Sequence, residues 1–154
     1  MRRKDREISR EAAWQVADEC LWATLSMVDP EGKPYCVAVN PAREGESIYF
    51  HCAREGFKTD CLRANPEVCL SCVTGAESVR DKLTMAYRSA ILRGRAHEVT
   101  DESERIRALT LLARRYDPDS LYRLDASLEK YMAHTAVWRI DISDITGKHG
   151  HCPA

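Results

Sequence analysis

Tyr49-Phe50-His51-Cys52-Ala53-Arg54-Glu55-Gly56-Phe57-Lys58 is the stretch whose reading decides the fold. Its apolar start reads as a strand that ends in a polar residue. Gly56 marks a short turn, and Lys58 falls just inside a helix that Asn65-Pro66 stops, because a residue before proline is pushed out of the α region. The first N–H groups of such a helix have no intrahelical partner and lie at the positive end of its dipole. With a lysine beside them, the corner suits a phosphate. The plainer alternative is an ordinary strand-turn-helix corner with Lys58 in solvent.

Outward from this corner the chain alternates β-prone runs with turn signals. Ile8, Ala12, Ala13, Val16, Ala17 and Cys20 recur at helical spacing behind Ser9, a suitable N-cap. Residues 21–28 then read as a strand. Asp29-Pro30-Glu31-Gly32 is a turn in which proline presets φ and glycine accepts a positive φ. The second strand of this hairpin spans 35–40, and Cys36, Val37, Ala38 and Val39 are all apolar. Residues 41–46 turn the chain into a third strand over 47–52. A fourth covers 68–73, and the polar segment 74–82 reads as an exposed loop. A long β-prone run over 85–99 carries Gly94, where a bulge or sharp bend is expected. Thr100-Asp101-Glu102 opens a helix striped by Ile106, Leu109, Leu112, Ala113 and Tyr116, and Asp117-Pro118-Asp119 ends it. A shorter helical stretch is expected over 121–133, then a sixth strand over 135–142. Meandering strands with few helices fit a barrel better than alternating β-α-β units.

The chain has 154 residues, a net charge of −1 and seven cysteines. That length fits one domain, placed at 1–148, with 149–154 as a tail. The near-neutral charge gives no reason to expect nucleic acid or an anionic membrane as partner. No run approaches the roughly 18 apolar residues of a membrane span. Arg2-Arg3-Lys4 leads into charged sequence and not into an apolar signal core. Cys69 and Cys72 look like a metal-binding pair, but on a strand positions i and i+3 face opposite sides. His149-Gly150-His151-Cys152 offers suitable donor chemistry at a chain end, and no metal site is assigned to it.

Several segments together carry a family likeness: Met1-Arg2-Arg3-Lys4-Asp5-Arg6-Glu7-Ile8, Gly32-Lys33-Pro34-Tyr35, the 51–58 corner, Tyr87-Arg88-Ser89 with Gly94, and Ile145-Thr146-Gly147-Lys148. In this order the chain resembles the FMN-binding split β-barrel proteins related to pyridoxamine 5′-phosphate oxidase, and within them the Nim-type nitroimidazole-resistance branch. The resemblance implies a mainly β fold with helices (α+β), a six-stranded antiparallel split barrel with peripheral helices, acting as a cytoplasmic homodimer. It implies FMN as cofactor. Lys58 would hold its phosphate, Val37, Ala38, Val39 and Asn40 would lie along the flavin ring, and His51, Cys52 and Ser89 would contact the cofactor. His51 would be the catalytic acid, since an imidazole with an ordinary pKa near 6.5 exchanges protons at working pH.

Two departures from the family pattern matter. Phe57 stands where the oxidase branch has an arginine, which removes one phosphate cation. In Trp138-Arg139-Ile140-Asp141 an acid replaces the histidine of the basic substrate signature. Oxidation of pyridoxamine phosphate is therefore disfavoured. The expected chemistry is flavin-mediated reduction of a small electron-poor acceptor such as a nitroaromatic, with a small-molecule electron donor. The rival reading is a non-catalytic flavin- or haem-binding module on the same barrel, and a third is a colourless dimerisation domain.

Overall fold

A computed structural model describes residues 2–123 and 132–150. A 3-10 turn, Lys4–Arg6, precedes strand β1, Glu7–Ile8, and helix α1, Arg10–Glu19. Strands β2, Ala23–Val28, β3, Pro34–Val39, β4, Ala42–Glu44, and β5, Ser47–Ala53, lead to helix α2, Phe57–Ala64. Strands β6, Glu67–Val79, and β7, Thr84–Glu98, form a long hairpin. Helix α3, Glu102–Tyr116, and a second 3-10 turn, Pro118–Arg123, precede strand β8, Thr135–His149.

The six long strands expected from the sequence are present, and two short ones, β1 and β4, join them in one antiparallel sheet. Its order is β3-β2-β6-β7-β8-β5-β4, with β1 on β8. The curled sheet stays open between β3 and β4, as in a split barrel. Inside lie Leu25, Phe50, Leu70, Leu92 and Ile140, all 1% exposed or less. Ala13, Val16 and Ala17 of α1 and Cys61 and Leu62 of α2 join that core. A second apolar cluster lies on the other side of β5 and β8, where Tyr49 and Val137 meet Ala108 and Leu109 of α3. Around Tyr49 and Val137 those two strands are thus buried on both faces.

Local signals explain most boundaries. Ser9 Oγ accepts from Ala12 N at 3.1 Å to cap α1, and Asp101 Oδ1 accepts from Glu104 N at 2.8 Å to cap α3. Asp29 closes the β2–β3 turn by accepting from the N–H groups of Glu31 and Lys33, and Gly32 supplies the positive φ of 82°. Ile8, read as part of the helical stripe, instead pairs with Gly147 in β1, and three further segments differ from the sequence reading. Residues 42–44 of the expected turn form β4 against β5. Residues 74–79, read as loop, continue β6: a bulge between Thr74 and Glu77 resets the register, and the pairing with β7 runs on to Val79. Their polarity reflects a two-stranded ribbon wetted on both faces. Strand β8 continues past Ile142 to His149, and Gly150 N donates to Tyr87 O at 2.7 Å. The expected helix over 121–133 lies mostly outside the described residues. Among the described residues no helix is long and apolar enough to cross a membrane.

Candidate functional site

Backbone geometry builds the corner after β5. Gly56 sits at φ 134°, a conformation that side-chain-bearing residues resist, and it serves as N-cap of α2 without any side-chain cap. Helical bonding begins with Asp60 N donating to Gly56 O at 3.1 Å, so the N–H groups ahead of Asp60 stay available. Thr59, buried, turns its hydroxyl back to donate to Gly56 O at 2.6 Å. Lys58 is half-buried, with Nζ 5.8 Å from the Phe50 ring centroid. Among the described residues no carboxylate pairs with it.

His51 and Cys52, one residue apart on β5, point to opposite sides. His51 is on the outer, exposed side, opposite Val137 of β8. Surrounding protein, and then the Lys58 cation, push its pKa below the ordinary histidine value. It is therefore mostly neutral at pH 7. Cys52 turns inward against the core, and burial pushes its thiol up while Lys58 opposes. Behind it Trp138, 2% exposed, belongs to the core. Its buried Nε1 has no geometric hydrogen-bond partner, although it lies close enough to the Cys52 sulfur to favour the thiolate.

Strand β3 reaches this corner from the far end of the sheet. Tyr35 meets Phe57 edge-on, with ring centroids 4.9 Å apart, so β3 and the start of α2 are neighbours. Among the described residues one edge of β3 is unpaired, with its backbone donors and acceptors open to a partner. The four β3-region residues predicted to line a cofactor divide by alternation. Val37 and Val39 turn toward the core, while Ala38 and Asn40 are exposed on the outer face. Asn40 Nδ2 donates to Leu21 O at 3.1 Å.

Ser89 lies elsewhere, on the outer face of β7. There an open hollow of about 680 Å³ is lined by Ser71, Val73, Ser89, Ile91, Thr146 and Lys148, among others. Strand register sets the face: Ala38, Thr24, Ser71, Ile91 and Thr146 form one row across five strands, and Cys36, Ser26, Cys69, Arg93 and Asp144 the next. A single chain thus brings Lys58, His51, Cys52 and the β3 edge toward one corner and leaves Ser89 on a separate open face. Sequence reading missed the hollow. The alternation in 69–73 carried its signal, but the facing residues on β8 follow the extra residue Ser143, which falls beyond the strand expected at 135–142.

Arg139 is held in ion pairs with two carboxylates. Its guanidinium donates to Glu104 at 2.8 Å and to Asp141 at 3.1 Å. Tyr49 Oη donates to the same Glu104 at 2.9 Å, and Ser47 Oγ to Asp141 at 2.9 Å. The acid at position 141, which departs from the family signature, helps neutralise the one arginine of that signature.

An open antiparallel sheet with a lysine at a helix start on one corner defines a split-barrel protein. The chain belongs to the pyridoxamine 5′-phosphate oxidase family, whose pattern it matches over residues 9–149. No curated protein matches it. Among solved structures it is similar to a candidate 5-nitroimidazole antibiotic resistance protein from Bacteroides thetaiotaomicron, with TM-score 0.76 at 23% identity, covering 94% of this chain and 86% of that one. A conserved hypothetical protein from Mycobacterium tuberculosis gives 0.81 at 19%, covering 96% and 88%. A FAD- and haem-binding protein from Mycobacterium smegmatis gives 0.80 at 23%, covering 96% and 74%. At these identities the likeness carries the fold and nothing finer.

Proposed function

We propose that this chain is an FMN-dependent oxidoreductase that reduces a small electron-poor acceptor, such as a nitroaromatic, as a homodimer in the cytoplasm. The observation that carries the reading is the corner at Gly56–Lys58: a helix start without a side-chain cap, a lysine that no carboxylate among the described residues pairs with, and a strand edge that the described residues leave unpaired. These residues fit a phosphate-bearing flavin. Lys58 and the first N–H groups of α2 would hold the phosphate, and the β3 edge at 37–40 would orient the ring through backbone groups. When bound, FMN supplies the two-electron chemistry.

The chain's own part is position, dryness and a proton. Val37 and Val39 back the strand with core and limit water. His51, beside this corner, is held below its ordinary pKa by burial and by the Lys58 cation. A phosphate paired with Lys58 removes one of the two causes of its lowered pKa, so ligand binding moves the imidazole back toward a proton-donating form. Cys52 remains a neutral thiol, offering packing and backbone contact. Ser89 would reach a cofactor only across a dimer, through the open outer face. The engaged Arg139 supports a substrate other than a phosphate ester.

The test is flavin titration of the purified protein by fluorescence quenching. Lys58→Ala should weaken FMN by about 1.5 to 3 kcal/mol, the worth of a charge-assisted hydrogen bond; equal affinity would remove the phosphate assignment. His51→Gln should keep FMN but slow transfer from reduced protein to a nitroaromatic and flatten its pH profile. An unchanged profile leaves solvent as the proton source. A haem absorption spectrum in place of a flavin one would favour the binding-module reading, which a haem-binding neighbour of the same fold supports.

A further inference from the structure

At the other end of β3 from the Tyr35–Phe57 contact, a large aromatic side chain stands in water. Trp22, directly ahead of β2, is 61% exposed, whereas Trp14 and Trp138 are 8% and 2% exposed. Its neighbours fix where it stands. Ala23 pairs with Val39 of β3 and with Cys72 of β6, and all three are buried. One residue back, alternation puts Trp22 on the outer face, level with Asn40 on one side and Val73 on the other. The chain is held there by Asn40 Nδ2, which donates to Leu21 O at 3.1 Å. In the next row lie the small side chains of Ala38, Thr24 and Ser71, so the indole stands over a low shelf. Ser71 and Val73 also line the hollow of about 680 Å³, which makes shelf and hollow continuous.

We infer that Trp22 is the stacking platform for the acceptor, a planar, uncharged, electron-poor ring that packs against the indole over this shelf. Three features choose that occupant. The face of an indole is rich in electron density, so it stacks best on a ring whose own face is depleted, as a nitro group makes it. The shelf carries no charge: Asn40, Trp22, Val73 and Ser89 form one row, and Ala38, Thr24, Ser71 and Ile91 the next. A cation would find no carboxylate there and an anion no basic group, whereas a neutral ring loses nothing. The hydroxyls of Thr24 and Ser71 add donors for nitro oxygens at the edge of an otherwise apolar contact.

Place agrees with chemistry. Asn40 is the last of the residues 37–40 proposed to lie along the flavin ring, and Trp22 is level with it on the neighbouring strand. A ring held by Trp22 therefore lies about one strand spacing, roughly 5 Å, from the β3 backbone. Trp22 neither gives nor takes a proton; it sets where the acceptor sits. The choice of acceptor rests on the proposed function, but stacking on Trp22 does not require a bound flavin, so the two stand or fall separately.

The test uses the intact purified chain in its oxidised state, once as isolated and once with FMN added. The indole N–H groups of the three tryptophans give separate signals in a nitrogen-15 correlation spectrum, and Trp22→Phe identifies the one from Trp22. Titration with nitrobenzene should move that signal saturably in at least one of the two samples while those of Trp14 and Trp138 stay. Anisole, a ring of similar size but electron-rich, should bind several-fold more weakly. Trp22→Leu should weaken nitrobenzene about 2- to 10-fold, the worth of an aromatic stack, and Trp22→Phe less. A Trp22 signal that stays still in both samples would overturn the inference, and so would one that follows protein concentration instead of nitrobenzene, which would place a second copy of the chain on the indole. Equal affinity for anisole would overturn the choice of an electron-poor ring. A Trp22 response in a protein that takes up no FMN would leave this inference standing and remove the proposed cofactor; FMN uptake with a silent Trp22 would do the reverse.

Discussion

The outer side of this sheet has two halves that treat water differently. Where α3 lies on β5 and the first part of β8 it is closed, and Tyr49 and Val137 are 3% and 0% exposed. Over β2, β6 and β7 the described residues leave it open, with Thr24 and Ser26 exposed and Ser71 and Ile91 half-buried. The closed half carries charge in compensated form, Glu104 and Asp141 around Arg139. The open half is nearly free of charge at its centre, where Ala38, Thr24, Ser71, Ile91 and Thr146 line up. A charge-poor face left to solvent is the composition of a surface that expects a partner, and a twofold copy of the same chain is the commonest solution.

The division falls at Gly94. Here the β7–β8 register shifts, with Arg93 facing Asp144 and Gly94 facing Ile142, so that Ser143 is the extra residue. A Cβ on Gly94 would stand 2.9 Å from the Asp141 carbonyl carbon and nearer still to its oxygen, with Ile140 Cγ2 at 3.1 Å. Backbone on the opposing strand cannot give way as a side chain can. Gly94→Ala should therefore show the largest effect, at least about 3 kcal/mol of lost stability. Urea denaturation followed by fluorescence of the three tryptophans measures it. A loss below about 1 kcal/mol would mean that the halves are not joined by a tight bend.

Next come two substitutions that the comparison sets against each other. Leu109→Ala, under α3, should cost about 2 to 3 kcal/mol of stability by leaving a cavity in the closed half. Ile91→Lys, on the open half, should change monomer stability by only about 0.5 kcal/mol but abolish self-association in light scattering. A dimer that survives Ile91→Lys would move the interface to another face.

How much of this was visible in the sequence depends on the range of the interaction. The 49–58 corner was legible because its strand, glycine turn and helix stop are local signals. The cap Ser9, the helix opening at 100–102 and the bend at Gly94 were legible for the same reason. The meeting of Tyr35 with Phe57, which brings β3 to that corner, comes from closure of the sheet, and no local pattern records it. The last part of β8 was missed because the bulge at Ser143 breaks the alternation on which strand reading depends. Residues 74–79 were missed because a ribbon wetted on both faces has the composition of a loop. For Val37 and Val39, the run of apolar residues at 36–39 hid which positions face inward. Structure divides them by alternation, so only the backbone of that strand can serve a ligand evenly along its length.

The smallest effect concerns the charge network of the closed half. Partial burial alone would raise the Glu104 carboxyl, but hydrogen bonds from Arg139 and Tyr49 override it and hold the group below its usual range. Asp141 behaves alike, with burial outweighed by Arg139 and Ser47. A carboxyl whose folded pKa is depressed contributes stability above its unfolded value, roughly 4, and loses it as pH falls through the folded value. Glu104 also stands in the first turn of α3, where the helix dipole favours an acid. Glu104→Gln keeps the shape and one acceptor but removes the charge, so the loss near pH 7 should be about 0.5 to 1 kcal/mol, the range of a partly exposed pair. As pH falls below the ordinary carboxylate range, toward pH 3, this contribution is progressively lost and the deficit of Glu104→Gln should shrink. Asp144→Asn supplies the contrast: on the open half, in a carboxylate without an ion-pair partner among the described residues, it should shift stability little at either pH. Urea midpoints at pH 7 and pH 3 for the three proteins decide the matter. An equal deficit for Glu104→Gln at both values would assign Glu104 a packing role and leave the closed half held by α3's apolar contacts alone.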